Sequence, residues 1–265
     1  MRDSYDREIT YLRISVTDRC NLRCRYCMPE EGVRWIPHEE ILSFEEITNF
    51  VRTAVSLGIH KVRLTGGEPL VRKGIVTLVA MLAAIPDITD LAMTTNGVLL
   101  ASYARDLKAA GLMRLNISLD TVDRARFQEI TRRDRLNEVL DGIAAAHAEG
   151  LPIKINTVIE QSPDEPNAME VSAWAAREGI PVRFIPRMNL AQGIFFGVMG
   201  GSGGDCPRCN RIRLLADGTV KPCLFSEIGF SVRALGVEEA IRGAVAAKPS
   251  RGTCNTVQSF YTIGG

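Results

Sequence analysis

Residues Cys20–Pro29 read CNLRCRYCMP and follow a strand-like run, YLRISVT, at Tyr11–Thr17. Cys20, Cys24 and Cys27 stand in a Cys-x-x-x-Cys-x-x-Cys spacing. Thiolates this close must converge on one centre if they bind anything. Structural zinc wants four closed ligands, usually from paired Cys-x-x-Cys knuckles, and no fourth ligand lies nearby in the sequence. A cubane iron–sulfur cluster normally takes four thiolates, so three leave one iron open to a small molecule. The alternatives are a zinc knuckle and three unrelated thiols in a loop.

The chain has 265 residues, enough for one large domain or one domain plus a small one, and its 46% hydrophobic content supplies a sizeable core. With 32 basic and 31 acidic residues the formal charge is +1, so nothing global points to nucleic acid or a membrane surface. Any anion site must be local. Seven cysteines are an odd count, six of them in two tight groups. The opening MRDSYDREIT is too polar for a secretory signal. Paired cysteine groups without a signal read as metal sites in a reducing cytoplasm. The longest uncharged apolar stretch, Val76–Ile85, is about half of what a membrane span needs. A soluble cytoplasmic protein is expected.

Working outward, strand-like runs alternate with helical patterns as far as Ile185. Strands are expected at Tyr11–Thr17, Lys61–Thr65, Asp90–Thr95, Arg114–Leu119, Ile153–Ile159 and Val182–Ile185. Helices are expected at Ser43–Leu57, Lys73–Ala84, Ser102–Ala110, Leu136–Glu149 and Ala168–Glu178. Ser43 and Glu46 have capping-box spacing. Gly58, Gly111, Gly150 and Gly179 each follow a helix, where a C-terminal glycine belongs. Repeated βα units imply a parallel sheet, either curled into a barrel or open and doubly wound.

Strand parity narrows this. Parallel strands covered on both faces usually read as near-continuous apolar runs, yet here Leu12, Ile14 and Val16 alternate with Arg13, Ser15 and Thr17. The other strands behave alike: Arg63 lies between Val62 and Leu64, Asn116 between Leu115 and Ile117, Lys154 between Ile153 and Ile155, Arg183 between Val182 and Phe184. A side-chain period of two gives each strand one apolar face for the helices and one polar face for a wet lumen. Arg13, Lys61, Arg63, Lys154 and Arg183 would line it, and guanidinium forks match phosphate oxygens two at a time. TGGEP (Thr65–Pro69), TTNG (Thr94–Gly97) and SLDT (Ser118–Thr121) follow successive strands, at the level where barrel enzymes put their chemistry. In the first, Gly66 and Gly67 would let backbone approach a ligand closely, and Glu68 would accept a bond from a substrate ammonium.

After Ile185 the rhythm stops. A glycine-rich stretch, Gly193–Asp205, leads to CPRCNRIRLLADGTVKPCLF, where Cys206, Cys209 and Cys223 form a second trio. Asp217-Gly218 reads as a hairpin turn that returns Cys223 to the Cys-x-x-Cys pair. A second cluster with an open iron fits. The alternative is zinc, completed by Cys254 or another group. Arg211 and Arg213 share one face at spacing two, Val237–Ala247 reads as a helix, and the chain ends SFYTIGG, apolar and then flexible enough to enter a cavity.

Together these stretches resemble the GTP 3′,8-cyclase family of radical S-adenosylmethionine (SAM) enzymes, which opens molybdenum-cofactor biosynthesis. The resemblance runs through RCNLRCRYCMPEEG, VRLTGGEPLVRKGI, TTNG, LNISLDT, KINTV, VRFI, CPRCNRIRLLADG and the final IGG. It implies an α/β fold, a partial six-stranded βα barrel at residues 1–188 with a cluster-binding extension at 189–265. It also implies two 4Fe–4S clusters, one on Cys20, Cys24 and Cys27 for SAM, the other on Cys206, Cys209 and Cys223 for substrate. A deoxyadenosyl radical would take hydrogen from the ribose C3′ of GTP, and the ribose would then close onto C8 of guanine. The resemblance makes Arg13, Arg211 and Arg213 catalytic, gives Tyr26, Gly66, Gly67, Glu68, Ser118 and Met188 to SAM, and gives Arg13, Arg63, Thr94, Lys154, Arg183, Arg211 and Arg213 to GTP. Expected partners are the downstream cyclic pyranopterin monophosphate synthase, a flavodoxin- or ferredoxin-type reductant and a second copy in a homodimer. Rival readings are a radical SAM peptide maturase with an auxiliary cluster and an inactive nucleotide-binding variant.

Three features depart from the family pattern. Only seventeen residues separate Met188 from Cys206, where the family has a much longer segment. Pro186 replaces an acidic residue after the sixth strand. Cys254 lies outside the pattern and is expected not to be a ligand.

Overall fold

A computed structural model describes residues 1–31 and 33–263. Five βα units and a sixth strand build the first two-thirds of the chain. Their strands are β1 (Tyr11–Ser15), β2 (Lys61–Thr65), β3 (Asp90–Thr95), β4 (Arg114–Ser118), β5 (Ile153–Ile159) and β6 (Val182–Pro186). The helices are α1 (Phe44–Ser56), α2 (Ile75–Ala83), α3 (Ala104–Ala109), α4 (Arg124–Thr131), α5 (Leu136–Ala148) and α6 (Pro166–Arg177). The capping box forms as expected: Glu46 N donates to Ser43 Oγ at 3.1 Å, and Ser43 N donates to Glu46 Oε2 at 2.6 Å. The four glycines expected after helices all take positive φ.

Helix α4 was not anticipated. Its sequence, RARFQEIT, buries only Phe127 and Thr131, so it has almost no apolar stripe; its signal is the N-cap Asp123, whose side chain accepts from Arg126 N.

The C-terminal region adds to the same sheet. Strands β7 (Arg211–Leu214), β8 (Thr219–Lys221) and β9 (Phe230–Ser231) precede the helices α7 (Val232–Leu235), α8 (Val237–Ala246) and α9 (Phe260–Ile263). The order is β6-β5-β4-β3-β2-β1-β7-β8-β9, so the parallel array gains a seventh member beyond the six expected. Strands β8 and β9 are antiparallel, and the hairpin between β7 and β8 turns at Asp217-Gly218 as the sequence indicates.

Leu12, Ile14, Val62, Leu64, Leu115, Ile117 and Ile155 are almost fully buried, in one core with the inner faces of α1, α2, α5 and α8. The opposite parity faces an open lumen. The glycine-rich segment bridges its open side. Phe184 on β6 exchanges backbone bonds with Met199, at 3.1 and 3.0 Å, and Arg211 Nη2 on β7 donates to Ser202 O at 2.8 Å. A second, small core of Leu190, Leu215, Phe225 and Ile263 lies beside the second cysteine group. Among the described residues, no helix is long and apolar enough to cross a membrane.

Candidate functional site: two adjoining cavities

The lumen holds two cavities that share Asn156, Ile185 and Met188. The larger, about 410 Å³, is lined by Arg13, Lys61, Arg63, Lys154, Arg183, Arg211 and Arg213, together with Cys206, Cys209 and Cys223. The smaller, about 200 Å³, is lined by Cys20, Cys24, Cys27, Tyr26, Gly66, Gly67, Glu68 and Ser118. Every residue singled out in the sequence for binding or chemistry lines one of them. Thr94, expected to contact GTP, lines the smaller cavity with the first cysteines.

The larger cavity concentrates positive charge out of water. Arg63 and Arg213 are 7% and 4% exposed. Burial first, and repulsion from Arg213, Arg63 and Arg211 second, push the Arg13 guanidinium well below its ordinary range. Burial and Arg211 bring Arg213 down to about 10, and burial also lowers Arg63 and Arg183. Neutralising carboxylates are scarce: Asp90 is taken by a bidentate pair with Arg114 at 2.7 and 2.5 Å. Tyr11, not picked out in the sequence, has its ring 5.6 Å from the Arg63 guanidinium and 5.8 Å from that of Arg211. With the Asn116 amide turned to suit, its oxygen accepts from both Nη atoms of Arg63, at 2.6 and 3.1 Å. Among the described residues, the donors Arg63 Nε and Arg211 Nε are buried without a hydrogen-bond partner. A polyanion relieves both the repulsion and the unmet donors.

The first cysteine loop is fixed from three sides. Gly67 N donates to Thr17 O at 2.7 Å and Glu68 N to Arg19 O at 2.8 Å. A Cβ on Gly66 would lie 2.5 Å from Thr17 O, and one on Gly67 2.3 Å from Arg19 O. These glycines were expected to let a ligand approach; the contact that demands them is with the cysteine loop's own backbone. On the second side, Arg23 N and Arg25 N donate to the last carbonyls of α4, Thr131 O and Ile130 O, both at 3.0 Å. On the third, Tyr26 Oη donates to Asp120 Oδ2 at 2.7 Å, and Val158 N donates to Asp120 Oδ1 at 2.8 Å. Asp120 is thus a site residue that sequence reading passed over inside SLDT. Burial raises its carboxyl above the usual range.

Glu68, 1% exposed, accepts from Leu70 N (3.0 Å), Thr95 Oγ1 (2.7 Å) and Asn96 N (2.7 Å). It ties the β2 loop to the β3 loop, in place of the free acceptor for an ammonium that was expected. Burial pushes its carboxyl up to about 7 against the pull of those three bonds.

The cysteines suit a cluster better than a single ion. Among the described residues, no three His, Cys, Asp or Glu side chains converge closely enough for one metal ion, which zinc requires. A cubane spreads its ligands around a larger body. Burial raises Cys20 to about 11, Cys27 to about 12 and Cys24 further, so a metal centre must supply the charge that makes them thiolates. In the second trio, Cys209 N donates to Cys206 O at 3.1 Å and the β7–β8 hairpin returns Cys223. Cys254 lines neither cavity. The tail reaches the site: Phe260 lines the smaller cavity, and Arg213 Nη1 donates to Ile263 O at 3.4 Å. The two terminal glycines lie outside the described residues.

Comparison with known proteins agrees with this geometry. Residues 14–165 match the Radical SAM superfamily. A protein of Thermodesulfovibrio yellowstonii named GTP 3′,8-cyclase is 39% identical over 322 aligned positions, covering 100% of both chains. A Pelotomaculum thermopropionicum protein of the same name is 43% identical, covering 95% of this chain and 94% of its own. A solved structure described as native anSMEcpe with bound AdoMet shares the fold at a TM-score of 0.62 and 14% identity, over 90% of this chain and 81% of its own.

Proposed function

The chain belongs to the GTP 3′,8-cyclase family of the radical SAM superfamily, and from that membership we propose how its own residues carry out the cyclisation of GTP to its 3′,8-cyclo product. The observation that carries the reading is the larger cavity, whose buried cations meet the second cysteine trio at one end and adjoin the first trio at the other. Cys20, Cys24 and Cys27 would hold a 4Fe–4S cluster beside the SAM pocket, and that pair would supply the 5′-deoxyadenosyl radical for hydrogen abstraction.

Arg13 and Arg63 lie side by side across β1 and β2 and grip the triphosphate, with Lys154 and Arg183 closing the far wall. Arg211 and Arg213 leave the second trio on a common face and hold the base end against Cys206, Cys209 and Cys223. Met188 and Asn156, shared by both cavities, stand where ribose must meet the SAM side. Tyr26, Gly66, Gly67, Ser118, Met188 and Thr94 form the SAM pocket, while Glu68 and Asp120 brace it. Positioning is the protein's contribution, since a small misplacement of C3′ leaves the abstraction without its target. Residues 1–188 hold SAM and residues 189–265 the second cluster, although one sheet runs through both. A reducing cytoplasm, a one-electron protein reductant and a downstream synthase that takes the cyclised nucleotide complete the reading.

Anaerobic incubation of the reconstituted protein with GTP, SAM and dithionite tests it. Equal yields of 5′-deoxyadenosine and cyclised nucleotide are expected. SAM cleavage that is indifferent to GTP would overturn the substrate assignment.

A further inference from the structure

Lys248 follows α8 and is 3% exposed. Its Nζ donates to Arg211 O at 2.7 Å and to Pro222 O at 2.9 Å. Those carbonyls flank the second trio: Pro222 precedes Cys223, and Arg211 lies two residues after Cys209. The side chain lines the larger cavity beside all three cysteines. Among the described residues no carboxylate pairs with it; Asp205, on the same cavity wall, is engaged by Arg208 at 2.6 Å. Neighbouring Arg7 shows the contrast. Its charge is balanced by Asp3 at 2.6 Å, and its Nη atoms hold the carbonyls of Cys206, Pro249 and Ser250. Arg7 therefore fixes the segment that carries Lys248, and among the described residues the counter-charges left to the buried Lys248 are the cysteine thiolates. Burying such a charge unpaired is unfavourable, so its place beneath Cys209 and Cys223 has a use in the loaded protein.

We propose that Lys248 is a positioning residue of the second centre, holding the Cys209 and Cys223 loops by their carbonyls and raising the reduction potential of the cluster bound there. This rests on the two-cluster reading above. Hydrogen bonds to sulfur and nearby charge are the protein's levers on cluster potential. A fixed cation favours the state with one more electron, because that state is the more negative. At the first trio, Arg23 spends Nη1 on the carbonyls of Cys20 and Leu22, and among the described residues no lysine lines that cavity.

The test uses full-length, anaerobically reconstituted wild type, Lys248→Met and Lys248→Arg. Iron content and spectroscopically monitored redox titrations of both clusters are read. Lys248→Met should make the second cluster at least tenfold harder to reduce, a fall of about 59 mV for one electron, and leave the first cluster unmoved. Lys248→Arg should recover most of that shift. If Lys248→Met fails to load the second cluster, loading restored by Lys248→Arg supports the positioning role, and loading lost in both overturns it. An unchanged second-cluster potential with full iron in Lys248→Met also overturns it. Wild type that carries only one cluster would instead defeat the two-cluster reading itself.

Discussion

Arg13 on β1 stands in register with Arg213 on β7, two hundred residues later in the chain. Arg63 on β2 is the register partner of Arg13 on its other side. Adjacent strands lie about 4.8 Å apart, so the three residues form one row across the lumen, with Arg63 and Arg13 toward the triphosphate and Arg213 toward the second cysteine trio. Charge-assisted bonds to phosphate contribute on the order of 1.5–3 kcal/mol each. Arg63→Ala should therefore weaken GTP binding on the order of 10- to 150-fold and leave SAM binding unchanged, as separate titrations of the two ligands would read. Arg213→Ala should instead raise the ratio of 5′-deoxyadenosine to cyclised nucleotide, because it also holds the base end and the tail carbonyl of Ile263.

The row was half legible in the sequence. Parity placed Arg13, Arg63, Lys154 and Arg183 on the lumen face because a strand's side-chain period does not depend on tertiary context. That β7 would lie beside β1, and so bring Arg213 into the row, has no local signal; it depends on sheet order. Helix α4 and Asp120 escaped for a related reason. Each acts on the cysteine loop through contacts made by residues about a hundred positions away, Arg23 and Tyr26. The glycines of TGGEP were visible, but their reason was not, since it is the approach of Thr17–Arg19.

Cys254 lies in the tail and lines neither cavity. Cys254→Ser should keep both clusters, with about eight irons per chain on cubane stoichiometry, and wild-type spectra. Cys24→Ala should lose the first cluster and all SAM cleavage while keeping the second. Loss of the second cluster's spectrum in Cys254→Ser would make Cys254 a ligand.

Gly67 sits where a Cβ would be 2.3 Å from Arg19 O and 2.5 Å from Asp18 O, both backbone atoms. Neither can move without carrying Cys20 along. Gly67→Ala should therefore lower the thermal midpoint by several degrees, on the basis of about 1–3 kcal/mol for overpacking, and reduce iron loading at the first trio in particular. Full loading with an unchanged midpoint would show that the loop has slack.

Glu68 gives the fold a pH dependence of defined sign. Its carboxyl is raised from 4.5 to about 7 by burial, so the neutral form is favoured in the folded state. The stability it contributes is fully present below about 4.5, falls as pH rises toward 7 and levels off above. The total is on the order of 3 kcal/mol for such a shift. Glu68→Gln keeps an oxygen for Thr95 Oγ1 and Leu70 N but turns an amide toward Asn96 N, a donor facing a donor. The variant should start less stable at pH 5.5 and lack this part of the slope. Thermal midpoints of wild type and variant, measured anaerobically from pH 5.5 to 8, should therefore converge as pH rises. A constant gap across that range would mean that Glu68 is ionised throughout and that its three hydrogen bonds outweigh its burial.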